Sequence, residues 1–387
     1  MPHVFARLVP ENGVQLSSGF YSGKCKTCNK EVKFWSVPSP VSEITFTVNG
    51  TQYTVNNPDP GMSLNEWIRN QPGLQGTKVM CREAGCGCCV VSITRRDLSV
   101  SKDVTVAVNS CLFPLCAVNG TTVTTIEGIG NRYDGFHPIQ ERLAEHNGSQ
   151  CGYCSPGFVM NMYSLLKETP SPSEQQIEDS FDGNICRCTG YRPILDAMKT
   201  FAKSSNPLDI EEIAKCPVSA PMETCSVLES ASQHMFIKAA TVCCGIFKND
   251  GPFDVMIDIT KVEKLHTIPP SATEVPNGDV VIGSGVSLNT LISVLDDLAK
   301  VMSGYKVLAD HVRKVANVPV RNVGSIAGNL MLTHDHPDFP SDIFTILEAA
   351  GTRLIIGKTR IDFIIITLTS FCIITLSFHY VHPTFLI

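Results

Sequence analysis

Residues Cys81 to Cys89 read CREAGCGCC, four cysteines and two glycines in nine positions, and no other stretch restricts the fold so tightly. Sulfur at that density has two competing explanations: disulfides in an oxidising compartment, or metal in a reducing one. The chain has 17 cysteines among 387 residues. Its start, MPHVFARLVPENG, has no apolar signal core, which favours the cytosol and therefore metal. Asn49, Asn119 and Asn147 begin sequons, but each is followed by glycine, so they read as Asn-Gly turns rather than glycan sites.

Spacing narrows the metal. Cys81, Cys86 and Cys89 stand at C-x4-C-x2-C, with Cys111 farther on, the plant-type two-iron pattern. Two irons bridged by two sulfides need four converging thiolates. One loop delivers three only if its backbone curls around the cluster, and Gly85 and Gly87 permit the φ values and close approach of such a curl. Backbone N–H groups left pointing inward then bond the sulfurs. Cys88 is superfluous to this set and reads as a packed thiol facing away, with competition as a wrong ligand the alternative. A second set is Cys151-x-x-Cys154 with Cys186-x-Cys188. Cysteines three apart meet on a helical turn and cysteines two apart share one side of an extended segment. Each pair bites one centre, and Gly152 and Gly183 loosen the approach. The four together suit either a zinc site or a second iron–sulfur cluster. Cys116, Cys216, Cys225, Cys243, Cys244 and Cys372 have no such spacing and read as ordinary small residues.

Around these cysteines the chain divides by pattern. Residues 1–42 are rich in Pro, Gly and Ser, with a lone Cys25-x-x-Cys28 pair, half a zinc site at best. From Glu43, EITFTVNG and TQYTVNN predict a hairpin about Asn49-Gly50. SLNEWIRN predicts a short helix with Ser63 as N-cap and Glu66 at the capping-box position. VVSITRR and DVTVAVNS predict two more strands, giving a small mixed sheet around the cysteine loop. Beyond Ser149 the period turns helical: SPGFVMNMYSLLKE with Ser155 as cap and Pro156 in the first turn, then SEQQIEDSF and RPILDAMKTFAKS. A polar, Pro-bearing linker follows, and then FDVMIDIT (strand), GDVVIGSGVSLNTLISVLDDLAKV (strand, Gly turn, helix) and the Gly-rich turn VRNVGSIAGNL. Phe363 to Phe378 runs without a charge. That is shorter than the roughly 20 residues of a membrane span, and the stretch reads as a buried strand pair, or a segment with no fold of its own, rather than an anchor. A net charge of −6 without a basic run argues against nucleic acid as a partner.

Four stretches, GTKVMCREAGCGCCVVSI, NSCLFPLCAVNGTTVTTIEGIG, SQCGYCSPGFVMNMYSLL and GNICRCTGYRPILDAMKTFA, resemble the N-terminal part of the xanthine dehydrogenase and aldehyde oxidase family of molybdo-flavoenzymes. The match runs from about Ile44 to Ile356. The family usually has alanine at the position of Cys88. The resemblance implies an α+β chain with six segments: an irregular 1–42, a β-grasp 2Fe-2S ferredoxin domain at 43–130, a helical 2Fe-2S domain at 131–206, a linker at 207–235, a partial FAD-binding domain at 236–358, and a hydrophobic tail at 359–387. It implies that Cys81, Cys86, Cys89 and Cys111 hold the cluster nearer the flavin, and Cys151, Cys154, Cys186 and Cys188 the cluster nearer molybdenum. Gln150 matches a glutamine that contacts the pterin of the molybdenum cofactor. Gly324, Ser325, Gly328, Asn329 and Asp342 match FAD contacts in NVPVRNVGSIAGNLMLTHDHPDFPSDIFTILEAAG; Gly-Ser-x-x-Gly-Asn also offers free backbone N–H groups to a phosphate. The longer HDHPDFPSD looks more like aldehyde oxidase, and His334 and His336 within it read as a solvated loop.

Two departures qualify the resemblance. The family's first glycine-rich FAD loop is missing, with only Gly245 near its position, so the pyrophosphate loses much of its cradle. After about Lys358 the match stops, and the molybdenum-binding half, with the carboxylate that serves as the family's base, does not follow; the expectation is a truncated product. The implied function is the electron-transfer portion of an aldehyde oxidase-like oxidoreductase, joining a missing molybdenum site through two 2Fe-2S clusters to FAD, with no catalytic residue in this chain. In the intact enzyme it implies an aldehyde or N-heterocycle substrate, oxygen or NAD as acceptor, and a cytoplasmic homodimer. The alternative is a zinc-stabilised, cysteine-rich interaction module without redox activity.

Overall fold

The computed structural model describes residues 14–15, 20–24, 31–35, 43–203, 260, 262–269, 280–335, 339–356, 359–362 and 374–378. Outside them lie Cys25 and Cys28, the expected linker, the FDVMIDIT strand, Gly245, His336, and Cys216, Cys225, Cys243, Cys244 and Cys372; His334 is described in its backbone only.

Two compact units divide the chain, Met1–Glu43 and Ile44–Ile387. In the first, β1 (Val14–Gln15), β2 (Phe20–Lys24) and β3 (Glu31–Trp35) form an antiparallel sheet in that order. The segment read as irregular therefore carries strands. They are too short, and too closely bounded by turn residues, for alternation to reveal them.

The second unit begins with the expected hairpin. β4 (Glu43–Val48) and β5 (Thr51–Asn56) flank Asn49 and Gly50, whose φ angles of 49° and 82° are those a two-residue hairpin turn requires. They join β6 (Val90–Asp97), β7 (Lys102–Asn109) and β8 (Thr122–Thr124) in a mixed sheet of order β5-β4-β8-β6-β7. β4 is parallel to β8, while β6 runs antiparallel to both β7 and β8. Helix α1 (Leu64–Asn70) covers one face. Of the expected capping box, the Ser63 half forms, its hydroxyl accepting from the Glu66 N–H at 3.2 Å. Trp67 sets its edge against Phe46 and Tyr53, with ring centroids 4.9 and 5.0 Å apart. Leu64, Ile68, Val91 and Ile93 are fully buried beside it, each contributing roughly 1.5 to 3 kcal/mol.

Four helices follow: α2 (Pro138–Glu145), α3 (Ser155–Glu168), α4 (Glu174–Ser180) and α5 (Arg192–Lys199). The pattern singled out the last three. α2 had its own signal in His137 and Gln140, which form a reciprocal capping box, and in Pro138 at its first position. α3 is capped one residue earlier than expected, at Cys154, and Ser155 bonds Ser149 instead, Oγ to Oγ at 2.8 Å. Ile139, Leu143, Phe158, Val159, Met162, Ile177, Ile194 and Met198 form the core of this bundle.

The third region contains β9 (Val280–Gly283), α6 (Leu288–Ala299), α7 (Gly304–Arg313), α8 (Val318–Arg321), α9 (Ile326–Asp335) and α10 (Asp342–Ala349). The strand, Gly turn and helix expected at 279–301 form, with Ser287 capping α6. β10 (Arg353–Ile356), β11 (Thr359–Asp362) and β12 (Ile374–Phe378) join β9 in a sheet of order β11-β10-β12-β9. Part of the hydrophobic tail thus pairs between β10 and β9, both antiparallel to it. One continuous apolar core runs from this region into the five-stranded sheet, linking Ile93 and Val108 with Leu291, Val320 and Ile326.

The bundle meets the sheet through α3. A Cβ on Gly157, in its first turn, would collide with Gly87 O and approach Cys88 Cα to 3.0 Å. Substituting Gly157→Ala is expected to cost about 1 to 3 kcal/mol, as overpacking does elsewhere. Denaturant unfolding of the two proteins measures it, and an unchanged midpoint would show that α3 moves away freely.

Candidate metal centres

The strand register explains how the first quartet assembles. β6 and β7 pair with Val90 opposite Asn109, so Cys89 and Ser110 lie side by side where that ladder ends. Ser110 seals the join, its N–H reaching Cys89 O at 3.3 Å and its hydroxyl the same oxygen at 2.6 Å. Cys111, next in the chain, is thereby brought back to a loop that left the sheet long before it. Within the loop, Arg82, Ala84 and Gly87 have φ of 57°, 57° and 68°. Gly85 does not, so the curl assigned to Gly85 and Gly87 is made by Gly87 and two residues with side chains. Left-handed conformation at such residues is strained and persists only where the surroundings enforce it.

Cys81, Cys86, Cys89 and Cys111 lie near one another, and Cys151, Cys154, Cys186 and Cys188 form a second neighbourhood. In the first, Cys81 interacts with Cys111 and Cys86, and Cys111 also with Cys89. Interaction with Cys111 and Cys86 holds Cys81 well below the usual thiol range, while Cys111 is pushed up by the same contact with Cys81, then by Cys89 and by burial. The second quartet consists of the pairs Cys154–Cys186 and Cys151–Cys188. Burial, then Cys186, pushes Cys154 up to about 12. The expected N–H···S bonds form, from Glu83 N to Cys81 Sγ at 3.4 Å and from Cys188 N and Thr189 N to Cys186 Sγ, both at 3.5 Å. Cys151 and Cys154 do not share a helical turn; both precede the body of α3, and Gly152, with φ of 77°, bends the chain between them.

The quartets differ in exposure. Cys86, Cys89 and Cys111 are buried, whereas Cys151 and Cys188 are open to solvent. Gln150 stands exposed beside Cys151. Among the described residues no three His, Cys, Asp or Glu side chains converge as a single-ion site does.

Between the quartets the main chains touch. The Ile185 N–H donates to Cys86 O at 3.0 Å, so one hydrogen bond separates the residue before Cys186 from a cysteine of the other set. Four buried asparagines hold this seam, and the cysteine spacing gave no hint of them. Asn184 Nδ2 donates to Gly87 O at 3.3 Å, and Asn161 donates to Asn184 Oδ1 at 2.7 Å. Asn317 Nδ2 donates to Ala84 O at 3.0 Å, and Asn109 Nδ2 reaches the same oxygen at 3.4 Å. The available signal was asparagine next to or near cysteine in NSC and GNIC, since an amide is the side chain that satisfies main-chain groups a curled loop leaves unpaired.

Asn317 belongs to the third region, which also clasps the bundle. Arg321, almost fully buried, donates to Asp182 Oδ2 at 2.9 Å and to Val315 O at 2.7 Å, and Val318 N donates to Asp182 Oδ1 at 2.9 Å. Burial pushes the Asp182 carboxyl above the usual range, against the pull of Arg321. Gly183 is tight here as well: a Cβ would stand 2.7 Å from Asn317 Cγ. It fits the third region to the bundle rather than loosening the approach to Cys186.

The residues matched to FAD contacts lie along one path. Gly324 and Ser325 precede α9, Gly328 and Asn329 fall in its first turns, and Asp342 opens α10. Ser341 Oγ donates to Asn329 Oδ1, tying the two helices together. The backbone N–H groups expected to be free are mostly taken: Gly324 N by Val320 O at 2.7 Å, Ala327 N by Ser284 O at 3.1 Å, Gly328 N by Ser325 Oγ at 3.2 Å and Asn329 N by Ser325 O at 3.2 Å. Helix geometry uses these amides, which the GSxxGN pattern alone did not reveal. A cavity of about 190 Å³ beside Arg95, Glu168, Asn289 and Asn322 includes none of the sequence-derived site residues.

Comparison with known proteins places three families on the chain. One described as a 2Fe-2S iron-sulfur cluster binding domain matches residues 46–116, a 2Fe-2S binding domain matches 125–199, and an FAD binding domain in molybdopterin dehydrogenase matches 216–374. The last extends beyond Ile356 and Lys358, where the resemblance read from sequence stops, because the sequence at 359–374 carries no motif to recognise. Xanthine dehydrogenase of Drosophila pseudoobscura pseudoobscura is 52% identical over 162 residues, 42% of this chain and 12% of that protein. Abscisic-aldehyde oxidase of Arabidopsis thaliana is 31% identical over 369 residues, 81% of this chain and 27% of that protein. A crystal structure of quinoline 2-oxidoreductase from Pseudomonas putida 86 has 32% identity and a TM-score of 0.35, covering 41% of this chain and 90% of that one. The chain thus spans 12 to 27% of the length of these two curated relatives.

Replacing Asp182 with alanine leaves the Arg321 guanidinium buried without its carboxylate. A loss of about 2 to 3 kcal/mol is expected, measured by denaturant unfolding. Asp182→Ala/Arg321→Met should regain part of it, and no recovery in the double variant would place the cost elsewhere.

Proposed function

Since this chain belongs to the xanthine dehydrogenase and aldehyde oxidase family and carries its N-terminal, electron-transfer portion, we propose that Cys81, Cys86, Cys89 and Cys111 hold one 2Fe-2S cluster and Cys151, Cys154, Cys186 and Cys188 the other. The observation that supports the assignment is that the cysteines of each set interact with one another. When bound, such clusters supply one-electron transfer, here from the exposed quartet towards the buried one.

The chain's own residues do the rest. Glu83, Cys188 and Thr189 aim N–H groups at sulfur, which favours added negative charge there. Cys86, Cys89 and Cys111 are buried from water. Ile185 and Cys86 supply a covalent path between the quartets with one hydrogen bond in it. The exposed face of Cys151 and Cys188 is the side from which an external donor reaches the pair, and Gln150 on that face is the proposed contact to a molybdenum-bound pterin.

The proposal includes the segments 43–130, 131–206 and 236–358 as its three working parts. It extends to FAD, with Gly324, Ser325, Gly328, Asn329 and Asp342 as its contacts on the third region. Support comes from the domain match at 216–374 and from the Asn329–Ser341 tie that sets α9 and α10 together. In the whole enzyme the substrate is an aldehyde or an N-heterocycle, the acceptor oxygen or NAD, and the assembly a cytoplasmic homodimer. Among the described residues no helix is long and apolar enough to cross a membrane.

Anaerobic purification tests the assignment. About four irons and about four sulfides per chain are expected, with two distinct rhombic EPR signals after reduction. Cys188→Ala should remove one signal and about half the iron. A colourless protein containing zinc and no iron would establish the interaction-module alternative instead.

A further inference from the structure

Cys88 fits neither quartet by spacing, and the expected outward-facing thiol is not what the structure shows. Cys88 is 2% exposed, and Cys86 Sγ donates to Cys88 Sγ across 3.4 Å. The cause lies between them: Gly87, with φ of 68°, turns the chain so that residues two apart present their sulfurs to the same space. Two thiolates on one tetrahedral metal, with bonds of roughly 2.3 Å, stand roughly 3.8 Å apart. The two thiols are therefore already within the bite of a single iron. Cys86 also interacts with Cys81, so Cys81, Cys86 and Cys88 lie together at one end of the first set.

Several contacts keep Cys88 there. Gly157 closes over it, with room for no Cβ before Cys88 Cα. Asn184 fixes Gly87 O, and Ile185 fixes Cys86 O. The turn cannot unwind to carry the fifth sulfur away without breaking the seam between sheet and bundle.

We propose that Cys88 is an alternate ligand to the iron held by Cys81 and Cys86, able to replace Cys86 without rebuilding the loop. The inference rests on the cluster assignment proposed above. The exchange is balanced and involves no redox change. Cys88 gives up its thiol proton as its sulfur bonds the iron; the Cys86–iron bond breaks, and the Cys86 sulfur takes a proton. Charge and electron count at the metal stay the same. What changes is which main-chain segment tethers that iron, and with it the N–H groups that face the sulfur.

Cys86→Ala in the full chain is the test, read by iron content and by EPR after reduction. The expected result is about four irons per chain, with the first signal shifted in g values and the second unchanged. Cys86→Ala/Cys88→Ala should fall to about two irons and keep only the second signal, as should Cys81→Ala, which has no spare sulfur at its position. Cys88→Ala alone should match wild type. If Cys86→Ala already falls to about two irons with the second signal intact, the inference is overturned. A wild-type chain without iron would instead overturn the cluster assignment itself. Should Cys86→Ala fail to fold, Cys86→Ser decides. With Cys88 present its spectrum should be that of an all-sulfur ligand set; with Cys88→Ala added, that of one oxygen and three sulfurs. Identical spectra would show that Cys88 only packs.

Discussion

Between Ala84 and Cys88 the loop has no side chain larger than a thiol to keep neighbours away, and three parts of the chain exploit this by reaching its main chain. The sheet supplies Asn109, the bundle supplies Asn184, Ile185 and the bare face of Gly157, and the third region supplies Asn317. Each satisfies or abuts a peptide group of the curl. Buried main-chain groups cost free energy comparable to a lost hydrogen bond when unpaired, so a loop of this shape is stable only inside such a clasp. The left-handed conformations at Arg82 and Ala84 are held by the same contacts.

From that clasp the spatial order of the molecule follows. The bundle has to lie against the loop at Gly87, and its own cysteines sit at the entrance of α3 and in the segment just after Asn184. The second quartet is therefore placed next to the first by main-chain contact rather than by the length of the connection between them. The third region also has to reach Ala84, which puts α8 against the sheet and Arg321 against Asp182 of the bundle. Residues distant in sequence are drawn together because a few peptide groups must be satisfied.

Much of this was legible in the sequence, and the limits have physical causes. The eight cysteines could be named and sorted because metal chemistry fixes their spacing locally. The hairpin at Asn49-Gly50 and helices α1, α3, α4, α5 and α6 were legible because turn residues, caps and apolar period agree over a few residues. The asparagines were not, since each acts across 23 to 233 positions of chain and leaves no local pattern. Helix α2 was overlooked although His137, Pro138 and Gln140 marked its start. The bonding of the amides in the GSIAGN turn depends on Ser284 and Val320, which only the folded chain brings near. The strands of the hydrophobic tail carry alternation without motif, so nothing in them pointed to β9 and β10 as partners.

The two joints of the third region are made of different materials. Against the sheet it is joined mainly by an apolar core of Ile93, Val108, Leu291, Val320 and Ile326, with hydrogen bonds such as Asn322 Nδ2 to Ala107 O at its edge. Against the bundle it is joined by the Arg321–Asp182 ion pair and the Val318 N–H bond to Asp182. Apolar adhesion weakens on cooling, because its driving force near room temperature is largely the entropy of water, while the polar joint has no such dependence. Chilling therefore weakens the apolar part of the first joint more than the polar second joint.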